Sequence, residues 1–403
     1  MPPAMAITFD ISHRDASSRA RVGRITTPHG VFDTPAFMPV GTRATIKGLT
    51  PAQIRGTGSQ CILNNAYHLM LRPGDERVAR QGGSHVFMRW DGPLLTDSGG
   101  YQAYSMADIN AVDEDGVTFK SIVDGRAIRL SPERAIEVQN NLGADIIMAF
   151  DDCPPSVDPS QMNESRKRIM AQRGGAWRRG YDHQARLAEA NARTVRWLER
   201  CVEAHARPHE QALFGIVQGG TDEAMRTASA AAITAIDLPG YAIGGVAVGE
   251  GTGDIRRVVD FTAPLLPESK PRYLMGVGYE HDILSAVLAG VDMFDCVLPS
   301  RNGRNGHAFT RAGTINLKNA VHTDDPAPIE AGCDCEVCDG GFGRAYLRHL
   351  LKAGEMLGST LVTIHNIRHF QRLLLDIREA IRDHAWPTFA AAWPGLAGLA
   401  PGR

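Results

Sequence analysis

No stretch of about 18 uninterrupted apolar residues, the length a membrane-spanning helix needs, occurs in this chain. The opening MPPAMAITFDISHRD has no basic segment leading into an apolar core of the secretory kind. Charge of one sign is also missing, since 43 Lys and Arg stand against 45 Asp and Glu for a formal net charge of −2. That balance supplies no global attraction to nucleic acid or to an anionic membrane, so any polyanion site has to be local. Neither the dinucleotide G-x-G-x-x-G pattern nor a P-loop is present, and no nucleotide cofactor is expected. The seven cysteines are an odd number without a secretion signal, which argues against a disulfide framework. These absences predict a soluble, cytoplasmic protein with no membrane partner.

What is present is a series of short apolar runs, each stopping at a polar residue or glycine. They are PAFMPVG (35–41), CILNN (61–65), PLLTDSGG (93–100), DIIMAFDD (145–152), ALFGIVQGG (212–220), YAIGG (241–245), RYLMGVG (272–278) and MFDCVLP (293–299). Their apolarity is continuous rather than alternating, as in strands buried on both faces of a parallel sheet. Helix signals separate several of them: SPERAIEVQNNLG has a capping serine, Ser131, and a glycine stop, Gly143, and 221–240 and 278–290 read the same way. Eight buried strands with intervening helices predict a (β/α)₈ barrel of the α/β class, with its site at the carboxyl ends of the strands. A doubly wound open sheet is the rival, and it would spread those ends along a crevice. In a barrel, Asn65, Asp97, Asp151, Gln218, Gly245, Met275 and Asp295 would converge.

At 403 residues and 43% hydrophobic, the chain can bury one large core or two ordinary ones. Residues 160–205 are helical in composition, and 166–186 hold seven basic residues against one acid, a solvated helix face or an RNA contact. Residues 307–385 hold three clustered cysteines and a helix-prone stretch, and the Pro-, Gly- and Ala-rich 386–403 reads as a tail with a loose end. The expected division is a barrel over 1–306 with an insertion near 160–190, a metal-binding subdomain with closing helices over 307–385, and the tail.

Cys333, Cys335 and Cys338 have C-x-C-x-x-C spacing, and His365 follows 27 residues after the last of them. Three thiolates and an imidazole make a closed tetrahedral site, which points to one structural Zn²⁺. The rivals are a redox cysteine group, or His322 or His349 as the histidine. Three acids, Asp97, Asp151 and Asp295, end apolar runs, an expensive place for a carboxylate with only a structural role. Two carboxylates beside an anomeric carbon are the equipment of glycosyl transfer, and a third can accept paired hydrogen bonds from a base edge. Glycine pairs in DSGGYQ, GIVQGG and AIGGVAVGEG allow a flat ligand close to the backbone, with Tyr101 and Met275 as two faces of a slot. After Asp295 the chain turns polar and basic, and SRNGRNG reads as a loop whose Arg301 and Arg304 suit phosphates or base edges.

Taken together, TDSGGYQ, MAFDDC, GIVQGG, GGVAVGEG, YLMGVG, MFDCVLPSRNGRNG and the cysteine cluster with its later histidine resemble the bacterial type of the tRNA-guanine transglycosylase family. The resemblance runs from about residue 35 to about residue 370, and it implies an irregular (β/α)₈ barrel with an inserted C-terminal zinc-binding subdomain. It implies Asp295 as the nucleophile on C1′ of the wobble guanosine and Asp97 as the acid/base partner. Asp151, Gln218 and Gly245 would bind the base between Tyr101 and Met275, with Ser98, Gly99, Gly100, Cys153 and Val248 also in that site. Gly276, Val277, Gly278, Tyr279, Glu280, His281 and Asp282 would meet the anticodon loop, as would Ser300, Arg301, Asn302, Gly303 and Arg304. The implied reaction exchanges guanine-34 of tRNAs with GUN anticodons (Asp, Asn, His, Tyr) for 7-aminomethyl-7-deazaguanine in queuosine biosynthesis, in a homodimer. Val248 fits the bacterial form, because eukaryotic relatives carry glycine there for bulkier queuine.

The chain departs from the family pattern in places. DDCPPSVDP stands where DECTPYP is common, so Asp152 replaces a glutamate; Ala66 replaces a threonine; and 166–186 resembles an insertion. A non-catalytic tRNA-binding relative would lack one of the aspartates, and all three are here. A zinc-dependent hydrolase would need an open metal position, which a Cys₃His shell does not leave.

Overall fold

The computed structural model describes residues 6–105, 110–158, 182–248 and 250–401. All eight apolar runs are strands: β1 (Ala36–Gly41), β2 (Ile62–Asn64), β3 (Leu94–Thr96), β4 (Ile146–Met148), β5 (Ala212–Val217), β6 (Gly240–Ile243), β7 (Arg272–Leu274) and β8 (Met293–Cys296). They run parallel in sequence order and close into a barrel, which excludes the open sheet. Burial on both faces explains their unbroken apolarity: every residue of β2 to β7 is buried. Among the described residues, no helix is long and apolar enough to cross a membrane.

The chain divides into two compact units, one of Met1–Phe9, Ile25–Gly30 and Asn64–Met275, the other of Asp10–Arg24, Val31–Leu63 and Gly276–Arg403. The first holds β3 to β7 and their helices. Ser131 caps Pro132–Leu142 by accepting the Arg134 N–H at 3.2 Å, and Gly143 ends it in the left-handed conformation. Asp222 caps Glu223–Thr234 in the same way, through the Met225 N–H at 2.9 Å. The helix His183–Ala204 follows the basic stretch, of which residues 166–181 lie outside the described residues.

In the second unit the 27-residue helix Met356–Arg382 packs on β1. Gln371 Nε2 donates to the Phe37 carbonyl at 2.9 Å, Arg378 donates to the Pro35 carbonyl at 2.7 Å, and Phe370 stacks on Phe37. The SRNGRNG segment, expected as a loop, is the helix Leu298–Asn305. Pro299 suits its first turn and Gly306 closes it in the left-handed conformation, so both end signals were present under a composition that reads as loop. Within the tail, Trp386, Phe389, Trp393, Leu396 and Ala400 are buried, and the Trp386 indole donates to Asp15 at 2.9 Å; the end read as loose, residues 402–403, lies outside the described residues. The tail's aromatics outweigh the prolines and glycines around them.

Candidate active site

Asp97 follows β3 directly. Its carboxylate accepts the Ala66 N–H at 2.8 Å and the Asn65 side-chain amide. Asn65 in turn caps Ala66–Leu71 by accepting the His68 N–H at 3.1 Å. Both donors come from the segment after β2, and Ala66 contributes its backbone N–H alone, having no side-chain donor.

Asp151, three residues past β4, is buried, and Gln218, just past β5, donates its Nε2–H to it at 2.5 Å. Burial pushes the Asp151 carboxyl up to about 7, against the Gln218 hydrogen bond and with help from the neighbouring Asp152 charge. Gln218 Oε1 is buried with no hydrogen-bond partner among the described residues. Gly245, just past β6, has φ +64, and a Cβ there would lie 2.3 Å from that Oε1, so a larger residue would strain the backbone and displace the Gln218 amide. Glu250 holds the segment between: it accepts the Ala247 N–H, the Val248 N–H at 3.2 Å and the Ser156 hydroxyl.

Of the other expected base-site residues, Gly100 approaches the Asp151 carbonyl, Ser98 is buried, Tyr101 is 40% exposed, and Met275 is half-buried just past β7. Burial pushes the Cys153 thiol up, so it stays protonated and is no nucleophile. Asp152, the shortened acid, is buried and accepts from Arg186 at 2.5 and 2.9 Å and from Arg193 at 2.6 Å. Arg186, part of the basic stretch read as an RNA-contact candidate, is thus committed to an acid beside the base-binding candidates. Neither arginine was legible as its partner, because the pairs are 34 and 41 residues apart.

In the second unit, Asp295 is the third residue of β8, in register with Met38 of β1, and accepts the Gly276 N–H at 2.7 Å. Its neighbour Cys296 is pushed up to about 11 by burial and by the Asp295 charge, which keeps the thiol protonated at neutral pH. Val277 is buried and Tyr279 exposed. Glu280 pairs with His369 at 3.0 Å and Asp282 is buried against His281, so this run is anchored at the start of the helix Glu280–Leu288. Arg301 is exposed and Arg304 half-buried on Leu298–Asn305, with Ser300 and Gly303 buried.

The metal cluster forms as the spacing predicts. His365 Nδ1 lies 3.7, 3.5 and 3.4 Å from the sulfurs of Cys333, Cys335 and Cys338. A tetrahedral ion with metal–sulfur bonds of about 2.3 Å and a metal–nitrogen bond of about 2.1 Å has sulfur–nitrogen edges of about 3.6 Å, so the donor set fits a metal ion. His365 Nε2 donates to the Phe309 carbonyl at 2.7 Å, which leaves Nδ1 as the lone pair, and burial pushes the ring down to about 4, keeping it neutral. The competing histidines are elsewhere: His322 lies against Asp325 and His349 is exposed.

A second cluster, His29, His85 and Asp145, borders a cavity of about 610 Å³. It reads as a hydrogen-bonded knot. Asp145 accepts from His29 Nδ1 at 2.8 Å, the Leu94 N–H at 2.8 Å and His85 Nε2 at 3.3 Å. His85 Nε2 also lies 3.1 Å from the Gly92 carbonyl, so it carries a proton there rather than a lone pair. Burial alone would raise Asp145, but His85 and His29 hold it below the ordinary carboxylate range.

The family model described as queuine tRNA-ribosyltransferase matches residues 15–180 and 178–394. A queuine tRNA-ribosyltransferase of Synechococcus elongatus is 50% identical over 376 residues, covering 93% of this chain and 91% of the relative. One from Streptococcus pyogenes serotype M5 is 49% identical over 377 residues, covering 94% and 93%.

Proposed function

Because the chain belongs to the queuine tRNA-ribosyltransferase family, we propose that it is a tRNA-guanine transglycosylase that exchanges guanine-34 of GUN-anticodon tRNAs for 7-aminomethyl-7-deazaguanine. The observation that carries this reading is the buried Asp151–Gln218 pair beside Gly245, with Gln218 Oε1 unpartnered. A guanine-type edge brings what such a pair lacks, adjacent ring and amine N–H donors and a carbonyl acceptor.

In the reaction, an Asp295 carboxylate oxygen attacks C1′ of the flipped-out nucleotide and the bond to guanine N9 breaks. Asp97 gives a proton to the departing base. The deazaguanine then enters, loses its N9 proton to Asp97 and attacks C1′, expelling Asp295. Two inversions give net retention, and the covalent ester conserves the glycosidic bond energy without a triphosphate. Tyr101 and Met275 stack on the base, and Val248 favours the aminomethyl base over queuine. The 276–282 and 300–304 segments grip the anticodon loop of tRNAs for Asp, Asn, His and Tyr. Cys333, Cys335, Cys338 and His365 hold one zinc ion, which braces the C-terminal part of the chain and leaves no position for catalytic water. The working form is a cytoplasmic homodimer.

The direct test is incubation with a GUN tRNA and labelled guanine, followed by competition with 7-aminomethyl-7-deazaguanine and queuine. Label enters the tRNA at position 34, and the aminomethyl base displaces it best. Absence of incorporation would remove the reading.

Base affinity should also depend on pH. The folded value of Asp151, about 7, lies above the ordinary 3.8, so its protonated form is favoured in the free protein; this contribution to stability is whole below about 3.8 and lost as pH rises through about 7. Accepting two N–H groups requires the ionised form, so the base Kd should fall roughly ten-fold per pH unit up to about 7 and flatten above. Asp151→Asn, which cannot ionise, should flatten this slope and be more stable than the parent at pH 8. A pH-independent Kd in the parent protein would contradict the assignment of Asp151.

A further inference from the structure

Arg226 is a buried cation for which the reaction above has no role. It is fully buried, no ion pair holds it among the described residues, and burial pushes its guanidinium down to about 10, which leaves it charged at neutral pH. Its N–H groups go to three backbone carbonyls: Nε to Gly220 at 2.8 Å, Nη1 to Val217 at 3.4 Å and Nη2 to Gly245 at 3.2 Å. These belong to the two segments that leave β5 and β6, the ones that carry Gln218 and Gly245.

A trans peptide is planar, so fixing its carbonyl also fixes the N–H antiparallel to it. The Val217 carbonyl sets the Gln218 N–H, which donates to Ser229 Oγ at 3.0 Å. The Gly220 carbonyl sets the Thr221 N–H, which donates to the Ser156 carbonyl at 3.2 Å. The Gly245 carbonyl sets the Val246 N–H. Arg226 and Ser229 stand three residues apart on Glu223–Thr234, on one face of that helix. Gly219 lets the helix come this close, since a Cβ there would lie 2.8 Å from the Arg226 nitrogen.

We propose that Arg226, together with Ser229, is a positioning residue for the base: a buried charged strut that sets the spacing of Gln218 and Gly245, and through it base affinity, without touching the ligand. A neutral residue at 226 would take the guanidinium from the Gly220 and Gly245 carbonyls and leave Val217 the Gly244 N–H at 3.0 Å, and lysine would keep the charge but not the planar fork that reaches all three.

The inference rests on the base-exchange reading, and full-length Arg226→Gln, Arg226→Lys and Ser229→Ala variants separate the two. Base Kd is measured by calorimetry with guanine and 7-aminomethyl-7-deazaguanine, beside steady-state exchange on a GUN tRNA. Arg226→Gln should raise base Kd and base KM at least about ten-fold, with tRNA KM and kcat at saturating base within about three-fold. Arg226→Lys should recover part of that loss, and Ser229→Ala should raise base Kd about three-fold. A purely structural residue would lower Tm and the active fraction without moving the base KM of the folded molecules. If Arg226→Gln folds and keeps the parent base Kd, the strut is wrong; if it does not fold, an unchanged Kd in Ser229→Ala overturns the proposal. A parent protein that binds neither base overturns the reading beneath it instead.

Discussion

Asp295→Ala is expected to abolish base exchange, with a loss on the order of 10⁴-fold or more in kcat, while base affinity stays near that of the parent. The size follows from the proposed role. A residue that forms the covalent bond cannot be bypassed by its neighbours, and the adjacent Cys296 thiol, pushed up to about 11, is no substitute nucleophile. Asp295→Asn gives the sharper comparison, since its amide oxygen can still accept the Gly276 N–H that the carboxylate accepts at 2.7 Å, so local structure survives without the charge. Parent protein trapped with tRNA should show a denaturant-resistant protein–RNA adduct, and both variants should lack it. An Asp295→Ala protein that still exchanged guanine at the parent rate, or still formed the adduct, would rule out the covalent mechanism.

Cys335→Ser should have the second large effect, on metal content and stability. Cys335 is almost fully buried, and its sulfur has two structural duties: it lies 3.5 Å from His365 Nδ1 and it accepts the Cys338 N–H at 3.3 Å, capping Glu336–Asp339. With the ion lost, the remaining thiols lose their common partner and His365 keeps only its bond to Phe309, so the hairpin of His307–Thr310 and Gly313–Asn316 loosens from the long helix. Metal analysis should fall from about one zinc per chain to near zero, and Tm should drop by on the order of 10 °C. Chelation of the parent protein should reproduce the shift. Undiminished zinc in Cys335→Ser would show that the four residues are not the ligand set.

The two predictions draw on residues of different legibility. Asp295 stood out because an acid inside the apolar MFDC run contradicts its surroundings, and the resemblance, rather than the residues themselves, ordered it before Asp97 and Asp151 as nucleophile. The cysteines were legible from spacing alone. His365 was one of three histidines, and the bond of its Nε2 to Phe309, 56 residues away, singles it out in the fold.

The amino-acid sequence by itself determined the eight strands and both ends of Pro132–Leu142, because those depend on neighbours: unbroken apolar runs for strands buried on both faces, serine and glycine at that helix's ends; Glu223–Thr234, read as reaching Gly240, stops at Ala235 instead. Only the tertiary structure decided that Arg186 and Arg193 neutralise Asp152, that the tryptophans of a Pro- and Gly-rich tail are buried, and that a buried arginine links the Gln218 and Gly245 segments. The SRNGRNG helix lies between these cases, with its end signals local and its packing distant. The physical reason is range. A turn or cap is settled within a few residues, whereas a buried charge takes its partner from whatever backbone the barrel brings beside it, and no local pattern records that choice.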